Sequence, residues 1–163
     1  MMRPRPAAVC CLLAVAATGC GIRPTGVTDG GKAPSGISQG MRVYFASDSG
    51  PRGVSRPGAK IDDLNDAFKL LLAGPTSEER AAGLANLISR DGAYSATSRH
   101  GKVTVNAPDR YFGPQDQSTG QLVCTIARAE VLLHDTRPDK VQVTIIGADG
   151  RAGPYQCQQF LSR

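Results

Sequence analysis

The sequence predicts an α+β domain: a small mixed or antiparallel sheet with two main helices on one face, in the order β-α-β-β-α-β-β. Three observations predict it. Apolar residues recur at Ile61, Leu64, Phe68, Leu71 and Leu72, one helical face, and Gly74-Pro75 ends the run abruptly. Lys102-Val-Thr-Val-Asn106 alternates apolar and polar residues as a half-buried strand does. Lys140-Val-Gln-Val-Thr-Ile-Ile146 is the strongest strand pattern in the chain.

The 163 residues suffice for one domain with appendages. Trp is absent and aromatics are few, so the core is expected to be aliphatic. The formal charge is +5, of which Arg3 and Arg5 at the N-terminus supply two; the remainder carries an ordinary +3. No basic stripe interleaved with aromatics stands out, which argues against a nucleic-acid partner.

The chain opens with an address. Met1-Met-Arg-Pro-Arg-Pro6 is basic, and Ala7 to Ala17 is an apolar run of eleven residues. A bilayer-spanning helix needs about 20 residues, so this length suits a signal-peptide core instead. Ala17-Thr-Gly-Cys20 follows and resembles the lipobox of bacterial lipoprotein precursors. That resemblance implies cleavage before Cys20 and lipidation of Cys20. An ordinary secretory cleavage site and a buried helix are the alternatives. Residues 1–19 then form the signal peptide, and residues 20–40, rich in Gly, Pro, Ser and Thr, a lipidated flexible tether. Acyl chains contribute about 0.8 kcal/mol per buried methylene, enough for several of them to hold a protein on a membrane. The tether contains Gly36-Ile-Ser-Gln-Gly40, the outline of a hydrolase elbow. It lacks the preceding strand that would expose Ser38 as a nucleophile.

The folded domain spans residues 41–163. Met41-Arg-Val-Tyr-Phe-Ala46 reads as a strand, and residues 47–58 as a Gly/Pro/Ser loop or loose hairpin. A helix is expected over residues 60–73, with Asp62 and Asp63 in its first turn and Asp66 on a solvated face. Thr76-Ser-Glu-Glu79 has the form of a capping box for a short helix over residues 77–83. Residues 93–99 and 102–106 form two strands about a His100-Gly101 turn. Ser118 or Thr119 is positioned to cap a second long helix ending near His134, with Leu122, Ile126, Ala129 and Leu133 on its apolar face. After the strand at residues 140–146, Gly147-Ala-Asp-Gly150 turns into a last strand around residues 155–160.

Cys124 and Cys157 remain in the domain. An even number in an exported chain suggests a disulfide across 32 intervening residues, stabilising by about 3–4 kcal/mol; two free buried thiols are the alternative. No metal site is expected, because no His or third Cys stands at ligand spacing. No cofactor motif is present. His100 and His134 read as a turn residue and a helix-end residue. Carboxylate spacing suggests no acid–base pair. The chain is therefore expected not to be an enzyme.

Arg42-Val-Tyr-Phe45, Ala67-Phe-Lys-Leu-Leu-Leu-Ala-Gly-Pro-Thr-Ser-Glu-Glu79, Gln121-Leu-Val-Cys-Thr-Ile-Ala127 and Val141-Gln-Val-Thr-Ile-Ile-Gly-Ala-Asp-Gly150 together resemble the sporulation-and-germination domain GerMN. Leu71-Leu-Ala-Gly-Pro-Thr76 is the most distinctive piece. With the lipobox, the pattern resembles envelope lipoproteins of high-GC actinobacteria. The resemblance implies a domain that makes protein–protein contacts in envelope complexes, without a shared catalytic site. The expectation is a lipid-anchored protein on the extracytoplasmic face of the cell membrane, with an envelope protein as partner. The alternative is a module for cell-wall glycan or a small ligand, which would need Tyr94, Tyr111, Phe112 or Tyr155 gathered in a pocket.

Overall fold

The hairpin that opens the domain stands apart from the main sheet. β1 (Arg42–Phe45) and β2 (Arg52–Ser55) pair antiparallel as a two-stranded sheet of their own. The strand expected at residues 41–46 therefore does not join the other strands, and the expected loop contains its partner. The reason is that the outer edge of β1 is already occupied. The Tyr44 amide donates to Thr125 Oγ1 at 3.0 Å, and Ala46 exchanges two backbone hydrogen bonds with Ala85. Tyr44 also lies over its cross-strand partner Gly53, where a Cβ would come within 2.9 Å of the ring. The computed structural model describes residues 40–161 except 109.

The main sheet comprises β3 (Ser95–Arg99), β4 (Lys102–Asn106), β5 (Gln142–Gly147) and β6 (Gly150–Tyr155), in that spatial order. β4 and β5 are parallel and the other pairs antiparallel, so the sheet is mixed. The β3–β4 turn places His100 and Gly101 at φ 51° and 77°, the left-handed pair that a two-residue hairpin turn requires.

α1 (Leu64–Ala73) starts later than predicted because Asp63 is its cap. Asp63 accepts from the amides of Asn65 and Asp66, while Asp66 accepts from those of Asp62 and Asp63. Asp66 is thus half of a capping box, not simply part of a solvated face. α2 (Ser77–Ala81) begins with the predicted box of Thr76 and Glu79. α3 (Gln117–His134) follows Asp116, whose side chain makes no capping hydrogen bond, and neither Ser118 nor Thr119 serves as cap; Thr119 is fully buried.

α3 is the centre of the domain. Every residue from Thr119 to Ala127 is buried. At 100° per residue, Gln121, Thr125 and Arg128 share one side, against β1 and the 85–88 segment, while Ile126 and Glu130 lie on the opposite side, toward the sheet. Its N-terminal turn is pressed closely: a Cβ on Gly120 would stand 2.7 Å from Pro51 and 2.9 Å from Phe160.

The chain end differs from expectation. The last strand is β6, residues 150–155, and α4 (Gln158–Leu161) replaces the strand expected there. Gly150, Gly153 and Pro154 resemble a loop in sequence, but an edge strand with a register shift opposite Val143–Ile145 accommodates them. The α+β class holds. One apolar core joins Val43 and Phe45 of the hairpin, Phe68 and Leu71 of α1, Leu122 and Ile126 of α3, and Val103, Val105, Val143 and Ile145 of the sheet. A β-strand's period of two leaves the other face of that sheet to solvent.

Candidate functional site

Cys20, the 1–19 leader, Ser38 and all of the 20–40 tether except Gly40 lie outside the described residues. Inside the domain, Cys124 and Cys157 are joined by a disulfide. The bond ties α3 to the segment between β6 and α4, and it floors a groove. Two adjoining hollows of about 200 and 380 Å³ share Tyr44, Pro138 and Cys157. Ala127 and Val131 extend one of them, and Leu161 the other. Leu161 is 47% exposed beside Tyr44 and Pro138. At one side Arg128 donates Nε and Nη2 to the Gly40 carbonyl, fixing where the chain enters the domain.

The groove is a physical consequence of three local choices. Alternation along β1 sends Val43 and Phe45 into the core and Tyr44 outward. The Asp135 backbone, at φ 49°, ends α3 in a left-handed cap and leads to the turn carrying Pro138. The disulfide then holds α4 against α3.

A polar cluster lies on the other side of α3. Ser98 Oγ donates to Glu130 Oε1 at 2.7 Å, and His134 Nδ1 is 2.9 Å from Glu130 Oε2. Glu130 is 1% exposed. Sequence spacing does not reveal this grouping, because Ser98 is 32 residues from Glu130; only the i, i+4 relation of Glu130 and His134 is legible. A Ser, a carboxylate and an imidazole thus converge, but the carboxylate is in the middle. A nucleophilic triad needs the imidazole next to the hydroxyl, with the carboxylate behind it. This order suits a buried carboxylate held by two partners.

The aromatic residues do not gather. Tyr94 stacks on Phe68 with centroids 5.6 Å apart, Phe112 is buried, and Tyr155 meets Phe160 edge-on. Tyr111 alone of the four is largely exposed. His100 sits at the β3–β4 turn, away from His134 in sequence and element. A separate cleft of about 440 Å³ lies between the β1–β2 turn and the start of α3, with Asp48 and Asp116 on its walls. Asp116 Oδ2 is engaged by the Gly113 amide at 3.0 Å. Among the described residues there is no group of three or more His, Cys, Asp or Glu able to hold a metal ion, and no helix long and apolar enough to cross a membrane.

Comparison with family models, with curated proteins and with solved structures found no match to this chain. The functional reading therefore rests on the residues and their geometry.

Proposed function

We propose that this chain is a lipoprotein of the cell envelope, anchored through Cys20 on the extracytoplasmic face of the cell membrane, whose folded domain binds a protein partner. The observation that carries the binding part is the half-exposed Leu161 beside Tyr44 and Pro138 in the groove above the disulfide. Protein interfaces concentrate their energy in a few residues, Trp, Tyr and Arg foremost, that a partner desolvates. Tyr44 and Arg128 are of those types, Leu161 adds apolar area for a partner to cover, and Asp139 lies on the polar rim. The compartment is supported by the Cys124–Cys157 bond, since structural disulfides persist in oxidising surroundings. It is also supported by the order of basic residues, apolar run and Cys20.

The role is that of a binding domain, not of a catalyst, and the resemblance to GerMN domains points the same way. A photo-crosslinking residue placed at Leu161 in living cells tests it. The expected result is a discrete adduct with an envelope protein, absent when the same residue replaces Ser95 on the sheet's solvent face. Equal labelling at both positions, or none at either, contradicts the reading.

A further inference from the structure

The solvent face of the main sheet carries a charge pattern that the fold does not explain. Three registered rows cross it. Arg99, Lys102 and Gln142 form the first, and Thr97, Thr104 and Thr144 the second. The third ends at Arg151 on β6. Arg99 and Lys102 are direct cross-strand partners, and like charges in that relation destabilise a sheet. Neither is relieved: Arg99, Lys102 and Arg151 form no ion pair among the described residues. All three are exposed and line one depression of about 440 Å³, whose walls include no Asp or Glu.

The floor between the cations is polar. Thr104 and Gln142, both half-buried, line it together with the buried Thr144. No aromatic ring lines it, so nucleobases have nothing to stack on. The apolar contributions are Val103 and Pro154, with no anchor for a protein side chain and no wedge for a bilayer. A concave surface also suits a projecting charged group better than a planar membrane. What complements three cations around a hydroxyl-lined hollow is a chain carrying anionic groups on hydroxyl-rich units.

We propose that this face binds an anionic polysaccharide bearing carboxylate or phosphate groups. Arg99, Lys102 and Arg151 take the charges, while the half-buried Thr104 and Gln142 take sugar hydroxyls. The proposal depends neither on the groove at Leu161 nor on the anchor at Cys20.

Binding of the purified full-length protein to polygalacturonate and to phosphomannan tests it, with neutral dextran, poly-glutamate and phosphatidylglycerol vesicles alongside. The expected result is binding to at least one of the two polysaccharides that weakens steeply with salt, as displacement of counterions demands. Arg99→Gln and Arg151→Gln should each weaken it about fivefold, the size of one exposed charge contact. Leu161→Ala should leave it unchanged. Both arginine variants should fold, and Arg99→Gln should melt no lower than the parent, because it removes an opposed like charge. Polysaccharide binding no tighter than to dextran overturns the proposal. So does poly-glutamate bound as tightly as the polysaccharides, or vesicles bound while both polysaccharides are not. Arginine variants that fold and bind like the parent overturn it as well.

Discussion

Arg56 grips Glu79 with both terminal nitrogens, Nη1 donating to Oε1 at 2.6 Å and Nη2 to Oε2 at 2.7 Å. The same guanidinium lies 5.4 Å from the centre of the Phe45 ring. Glu79 meanwhile accepts from the Thr76 amide at 2.9 Å, completing the box that starts α2. One carboxylate thus fastens the hairpin exit to the start of a helix. Arg56 holds the Glu79 carboxyl below the ordinary glutamate range, with the Thr76 amide adding to the effect. A depressed carboxyl stabilises the fold above its unfolded value of about 4.3 and loses that contribution as pH falls through the lower folded value. Arg56→Met should therefore cost about 1–2 kcal/mol at pH 7. Urea titrations from pH 7 to pH 3 should show the gap between parent and variant closing below about pH 4.3.

Gly120 is required by close approach, not by backbone conformation. Its missing Cβ leaves room for Pro51 and Phe160. Alanine is the better helix former, yet Gly120→Ala should destabilise by about 1–2 kcal/mol, because overpacking outweighs propensity here. A melting temperature raised by the substitution would show that α3 does not sit so close to the hairpin turn.

Ser98→Ala removes the hydroxyl that serves Glu130 Oε1 inside the domain. The cost expected from denaturant unfolding is about 1–3 kcal/mol, the penalty for a buried acceptor deprived of its donor. Ser98→Thr, which keeps a hydroxyl in a strand position, should recover most of it. Equal losses in both variants would place the effect in packing, not in the hydrogen bond.

Joint replacement of Cys124 and Cys157 by alanine should lower stability by about 3–4 kcal/mol, chiefly by freeing the unfolded chain. The unfolded parent, kept from reductant, should expose no titratable thiol at these two positions. Two reactive thiols there would remove the staple from the account.

Local chemistry was readable where it depends on neighbours in sequence. Thr76 and Glu79 announce their own box, Gly74-Pro75 announces a stop, and Val103 and Val105 announce a buried strand face. Asp66 is ambiguous in sequence because a carboxylate at the third helical position also looks like an ordinary surface charge. The burial of α3 on nearly all sides is hidden in the sequence because Thr119, Gln121 and Thr125 are polar. Gln121 Oε1 and Thr125 Oγ1 are buried as partners for the amides of Leu87 and Tyr44, 34 and 81 residues away, which no local pattern records. β6 is hard to see in sequence because Gly and Pro weaken a central strand but are tolerated at a bulged edge. Cys124 and Cys157 were readable as a pair by number alone. The groove above them and the cation-lined sheet face both depend on register and crossover.

The central claim is that this domain works outside the cytoplasmic membrane, held there by Cys20. Membrane fractionation of Cys20→Ser, combined with protease treatment of intact spheroplasts, tests it most directly. The account predicts a parent protein that sediments with membranes and is digested from outside, and a variant released to the soluble fraction. A Cys20→Ser protein that stays with the membranes, or a parent protected from external protease, would contradict it.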